Sequence, residues 1–153
     1  MKDIRVLILG TGGMANAHAE AYAAMENVQI VAGIDPHEGR LKEFCARHSV
    51  ANAFQSVEEA IAWGGFDAVS NVTPDSVHYV TTLPFLAAGK HVLCEKPLAV
   101  SEADAAEMAA KATAAGVANM VNLTYRNVPA LNMAASMTAA GEIGPIRHFE
   151  AAY

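Results

Sequence analysis

Val6-Leu7-Ile8-Leu9-Gly10-Thr11-Gly12-Gly13-Met14-Ala15 decides the fold of this chain. A short apolar run reads as a buried parallel strand. Gly10 to Gly13 forms a tight turn, and an Ala-rich helix over Met14–Met25 follows. The turn fits G-x-G-x-x-A. Its first glycine permits the sharp bend, its second lets backbone approach a pyrophosphate, and Ala15 lets helix and strand pack closely. A negative group beyond the turn would meet the positive end of the helix dipole.

The same alternation continues along the chain. Strands are expected at Gln29–Ile34, Ala53–Phe54, Ala68–Val72, His91–Cys94 and Val117–Asn122. Helices are expected at His37–Arg47, Val57–Trp63, Ser76–Ala88, from Ser101 to near Gly116, and Leu131–Ala140. Gly89 suits the position after a helix end, and Ser101 with Asp104 suits a helix start. Repeated strand–helix units give an α/β fold with a doubly wound, mostly parallel sheet of the Rossmann type. Residues 1–122 make that domain. Residues 123–153 form a junction helix and a strand-like run, Ile146–Tyr153, that leads toward a second domain. Such a run should pair with another chain if nothing covers it.

Bulk properties narrow the function. The chain has 153 residues, 53% of them hydrophobic and 17% charged, which is a globular composition. Its net charge of −6, with no basic cluster, argues against nucleic-acid binding. The six histidines lack metal-ligand spacing, and Cys45 and Cys94 form no CxxC pair, so no metal is expected. No run is long enough to span a bilayer, and no signal peptide is visible, so the cytoplasm is the expected location.

Asp35 ends the second strand about twenty residues beyond the turn, where an acid can bind adenosine ribose hydroxyls. It would repel a 2′-phosphate, so NAD is favoured, with NADP as the alternative. Its plainer role is to cap the next helix. Arg40 is a candidate to stack on adenine or meet a 2′-phosphate, against the role of a solvated helix charge. The cofactor-facing set comprises Gly10, Thr11, Gly12, Gly13, Met14, Ala15, Asp35, Arg40, Thr73, Pro74, His78, Glu95, Lys96, Pro97, Asn122 and Arg126. Thr73 and Pro74 turn over the sheet edge after the fourth strand, with Asp75 or Ser76 capping the next helix. His78, one turn into it, reads more readily as a packed histidine than as a catalytic one. Arg126 follows the sixth strand and would hold a substrate or bridge to a second domain. Glu95-Lys96-Pro97 ends the fifth strand on a stiff bend, where ligands bind in open α/β sheets. A cis Lys96–Pro97 bond would be unusual there.

These segments together resemble the Gfo/Idh/MocA oxidoreductases. The resemblance rests on Gly10-x-Gly12-x-x-Ala15 with His18, Thr73-Pro74-x-x-x-His78, and Ala88-Gly89-Lys90-His91-Val92-Leu93-Cys94-Glu95-Lys96-Pro97-Leu98-Ala99. It extends to Tyr125-Arg126-Asn127-x-Pro129 and Gly141-Glu142-Ile143-Gly144. It implies an NAD(P)-binding domain that here lacks the family's C-terminal α/β substrate domain, which usually also carries the homo-oligomer interface. It implies hydride transfer with a sugar, polyol or cyclitol, Lys96 beside the reacting oxygen, and Glu95 near the nicotinamide ribose. A nucleotide-sensing regulator, or an isolated NAD-binding fragment without turnover, are the rival readings.

Overall fold

A computed structural model describes residues 3–150. Contacts divide the chain into two units, 1–122 and 123–153. In the first unit six strands alternate with five helices: β1 (Ile4–Leu9), α1 (Gly13–Ala23), β2 (Val28–Ile34), α2 (Glu38–His48), β3 (Asn52–Phe54), α3 (Val57–Trp63), β4 (Ala68–Asn71), α4 (His78–Ala87), β5 (His91–Cys94), α5 (Glu102–Ala115) and β6 (Asn119–Val121). The sheet order is β3-β2-β1-β4-β5-β6, and every pairing is parallel. The chain winds outward from β1 in both directions, so the crevice where the order reverses lies between β1 and β4, beyond their carboxyl ends.

Each face of the sheet carries its own core. Leu7, Ile34, Val69, Phe66, Phe85 and Met108 pack on one side. Val6, Ile8, Ala15, Ala19 and Phe44 pack on the other, beneath α1 and α2. Phe66 and Phe85 are wholly buried and meet edge to face, 5.9 Å between ring centres. Each such side chain contributes about 1.5–3 kcal/mol by leaving water.

Local signals set most boundaries. Ser56 Oγ accepts from Glu59 N–H, and Glu59 Oε2 accepts from Gln55 N–H. Ser101 Oγ accepts from Asp104 N–H, as that spacing predicts. Gly89 follows α4 with φ +68°. Three expectations need correction. The helix expected from Ser76 begins as a 3-10 turn over Asp75–Val77, and neither Asp75 nor Ser76 caps it. The preceding Pro74 is extended, and α4 proper starts at His78. Asp35 does not cap α2; that cap is His37, whose ring accepts from Arg40 N–H. Residues 146–150 of the expected final strand carry no regular structure, and Ala151–Tyr153 lie outside the described residues. A strand needs a neighbour to take up its backbone donors and acceptors, and no described strand pairs with them.

In the second unit a 3-10 turn (Thr124–Asn127) leads to α6 (Pro129–Ala139), with Pro129 in the first helical turn. Leu131 and Met133 of that helix are exposed. Among the described residues no helix is long and apolar enough to cross a membrane.

Candidate functional site

The glycine turn leaves β1 at Leu9. Gly10 N–H donates to Ile34 O at 2.8 Å. Gly10 has φ +85°, and a Cβ there would stand 3.1 Å from Val72 O and Thr73 N. Only glycine suits both constraints. At Gly12 and Gly13 an added Cβ would meet no protein atom within 4 Å, so the space over them is open. Gly12 starts α1 with no side-chain cap, and the first turn holds no acid. Ala15 N–H returns to Gly12 O at 3.2 Å, and no side chain takes the other N–H groups of the first turn, an arrangement that suits an anion. Ala15 is wholly buried where helix meets sheet. These residues fit a dinucleotide pyrophosphate.

Asp35 stands across from this turn and is 4% exposed. Its Oδ2 accepts from Thr11 N–H at 3.0 Å and from Thr11 Oγ1 at 3.1 Å. Its Oδ1 accepts from His37 N–H at 2.8 Å and from Arg40 Nη2 at 3.0 Å. Burial pushes the carboxyl up, but Arg40, the two backbone donors and the Thr11 hydroxyl outweigh it, so its pKa lies below the ordinary value. A crevice of about 340 Å³ opens between Gly10, Gly12, Asp35, Arg40, Thr73 and Pro74. A neighbouring one of about 350 Å³ extends past Pro36, Ser56 and Val77. Both lie along the carboxyl edge at the β1/β4 switch.

Two buried polar groups shape the adjoining loops. Asn71, wholly buried, donates to Thr81 and Thr82, while its Oδ1 accepts from Thr73 N–H at 3.1 Å and Thr73 Oγ1 at 2.7 Å. His78 is also wholly buried, with Nδ1 2.7 Å from Pro97 O and Nε2 2.9 Å from Thr73 O. Its ring joins the loop after β4 to the loop after β5. His78, expected in the cofactor-facing set, is instead packed inside the fold, and both of its ring nitrogens face protein carbonyls.

The Glu95-Lys96-Pro97 bend rests on a buried network. Glu95 Oε1 accepts from Asn122 Nδ2 at 2.5 Å and faces His18 Nε2 at 2.9 Å. Glu95 Oε2 accepts from Lys96 N–H at 3.1 Å. His18 Nδ1 lies 2.8 Å from Ser70 Oγ. Burial raises the Glu95 carboxyl, yet Asn122, His18 and the Lys96 N–H hold it below its ordinary range. Burial also pushes the Cys94 thiol up to about 11, which leaves it an unreactive core group. The Lys96–Pro97 bond is cis, and Lys96 and Pro97 are exposed on the same carboxyl edge as the glycine turn.

The fold thus gathers Gly10 to Ala15, Asp35, Arg40, Thr73, Pro74, Glu95, Lys96, Pro97 and Asn122 along one sheet edge. Arg126 belongs to the second unit and is exposed there. Ser70 and Asn71, which hold the edge together, were not singled out from sequence. Their signal was two adjacent polar residues in an otherwise apolar strand. Among the described residues no group of three or more His, Cys, Asp or Glu side chains is placed to hold a metal.

Comparison with known proteins agrees with this geometry. Residues 4–123 match the oxidoreductase family with an NAD-binding Rossmann fold, GFO_IDH_MocA. The scyllo-inositol 2-dehydrogenase (NADP(+)) IolU of Bacillus subtilis is 35% identical over 98% of this chain and 45% of its own length. The 1,5-anhydro-D-fructose reductase of Ensifer adhaerens is 37% identical over 82% of the chain and 38% of its own length. The crystal structure of an NAD binding oxidoreductase from Klebsiella pneumoniae superposes with a TM-score of 0.84 at 33% identity, over 93% of this chain and 40% of that one. The chain spans less than half the length of these relatives.

Proposed function

This chain belongs to the GFO_IDH_MocA oxidoreductase family through its NAD-binding Rossmann fold, and we propose that it is the cofactor-binding half of a dehydrogenase acting on a hydroxyl of a sugar, polyol or cyclitol. The nicotinamide, when bound, supplies hydride exchange with the substrate carbon. The protein supplies position and proton handling. Gly12, Gly13 and the open end of α1 hold the pyrophosphate, and Asp35 with Arg40 faces the adenosine ribose. Thr73 and Pro74 border the path between them.

The observation that carries this reading is the placement of Lys96. It projects from a bend pinned by Glu95, on the same sheet edge as the glycine turn. A lysine there can hydrogen-bond a substrate hydroxyl and relay its proton. Glu95 is 8% exposed and already meets three partners, so its main part is to hold the bend. The relatives named for a cyclitol and an anhydro sugar support the substrate class. The relatives are more than twice as long as this chain, and the reading leaves the remaining acid–base groups, the substrate floor and any homo-oligomer interface to such additional length.

Titration of this chain with NADH, followed by nicotinamide fluorescence, tests the cofactor assignment. Saturable binding is expected. Its absence at up to about 1 mM, the upper end of ordinary KM values, overturns the assignment.

A further inference from the structure

His18, Ser70 and Tyr22 have no part in the proposed chemistry, yet they form one line of polar groups that ends on Glu95. His18 and Tyr22 leave α1, Ser70 sits wholly buried in β4, and Glu95 directly follows β5. His18 Nδ1 lies 2.8 Å from Ser70 Oγ, and its Nε2 lies 2.9 Å from Glu95 Oε1. The Tyr22 ring meets the His18 ring edge-on, with centroids 6.3 Å apart.

The donors along this line have a direction. Hydrogen bonds hold the Glu95 carboxyl below its ordinary pKa, so it is ionised at neutral pH. An ionised carboxylate only accepts, which requires the proton of His18 on Nε2. At the other end, burial raises the pKa of the Tyr22 hydroxyl and its hydrogen bond with Ser70 lowers it only in part, so the phenol keeps its proton. Tyr22 then donates to Ser70, and Ser70 gives its single proton to His18 Nδ1. A ring with its proton on Nδ1 would set a lone pair against the Glu95 carboxylate. The ring is therefore held from both sides in one orientation. Glu95 transmits that orientation, because its Oε2 accepts from the Lys96 N–H at 3.1 Å. The two oxygens belong to one planar group, so a turn of the His18 ring reorients the acceptor beneath Lys96.

We propose that Ser70 and His18 are positioning residues for Lys96: they orient the Glu95 carboxylate that holds the bend, and so set where the lysine stands for proton transfer. The second clause rests on the dehydrogenase reading above, and the hold on the bend does not. Ser70→Ala, His18→Gln and His18→Asn are to be compared with wild type by two measurements. Hydrogen exchange of the Lys96 amide is followed by NMR in this chain, and turnover of sugar and cyclitol alcohols is followed in the whole enzyme together with NADH affinity. A glutamine at position 18 reaches as far as Nε2 and keeps a donor toward Glu95, whereas an asparagine reaches only as far as Nδ1. The expected result is Lys96 exchange about tenfold faster in His18→Asn, at least about threefold faster in Ser70→Ala, and slower in His18→Gln than in His18→Asn. In the same order kcat falls, about tenfold further in His18→Asn than in His18→Gln, with the NADH Kd within about twofold throughout. Equal exchange in the two His18 variants, or Ser70→Ala exchange within about twofold of wild type, overturns the hold on the bend. Exchange in the expected order with kcat unchanged overturns the positioning of Lys96 for proton transfer. Exchange in the expected order in a wild-type enzyme that turns over no such alcohol supports the hold on the bend and overturns the dehydrogenase reading.

Discussion

His18 Nε2 and Glu95 Oε1 lie 2.9 Å apart although 77 residues separate them. Helix α1 and the end of β5 meet across the sheet, and the contact is almost out of water, with side-chain exposures of 9% and 11%. It fixes the carboxylate that in turn holds the Lys96 N–H. A buried acceptor that loses a partner keeps its desolvation cost, about 1–3 kcal/mol. His18→Ala should therefore lower unfolding free energy by about that much in urea titrations, with a cavity adding to the loss. A change below about 0.5 kcal/mol, ordinary for a surface site, would show that the pair does not support the bend.

His78 makes a comparable link by different means. Removal of its ring takes away the group that stands between Thr73 O and Pro97 O and opens a space among α4 and the two loops. His78→Ala should cost about 2–4 kcal/mol and raise proteolytic cleavage at the Thr73 and Pro97 loops. Wild-type stability and cleavage would remove the histidine from the account of how these loops are held.

The two ends of the glycine turn should respond differently to the same small change. Gly10→Ala places a methyl against Val72 O and Thr73 N at positive φ, and should destabilise the fold by about 1–3 kcal/mol. Gly12→Ala meets no protein atom within 4 Å, so stability should stay within about 0.5 kcal/mol. Its methyl occupies the approach to the helix end, and NADH should bind at least about tenfold more weakly. Equal effects of the two variants on stability would contradict this division.

Asp35 and Glu95 both hold their protons less readily than free carboxyls, each through hydrogen bonds that outweigh its burial. A carboxyl with a depressed folded value contributes stability that is present above its unfolded value, about 4, and is lost as pH falls through the folded value. Thermal unfolding should therefore move to lower temperature between about pH 5 and pH 3, and Asp35→Asn should flatten that dependence. A midpoint that holds steady or rises on acidification would contradict the assigned contacts.

Much of this was legible in the chain because the decisive signals are local. Gly10, Gly12 and Ala15 sit in one turn, Asp35 ends the next strand, and Glu95-Lys96-Pro97 closes another. The strand–helix alternation orders them along one sheet edge. What sequence alone did not disclose depends on crossovers. Nothing local pairs His18 with Glu95, or Asn122 with the same oxygen, because those elements meet only once the sheet is wound. Asn71 and Ser70 read as ordinary strand residues until burial forces partners on them. The two ring nitrogens of His78 are explained by the loops after β4 and after β5, not by its place in a helix. The strand expected over Ile146–Tyr153 is not found in its described residues 146–150, where no described strand takes up the backbone donors and acceptors.

In the proposed function Lys96 acts on a substrate held over the glycine-turn edge. The direct test compares Lys96→Ala with wild type in the whole enzyme, measuring turnover of sugar and cyclitol alcohols together with NADH affinity. Loss of about 10²–10⁴-fold in kcat, with the NADH Kd within about twofold, is the expected result for a positioned proton-transfer group. Turnover within about twofold of wild type would contradict the assignment of Lys96.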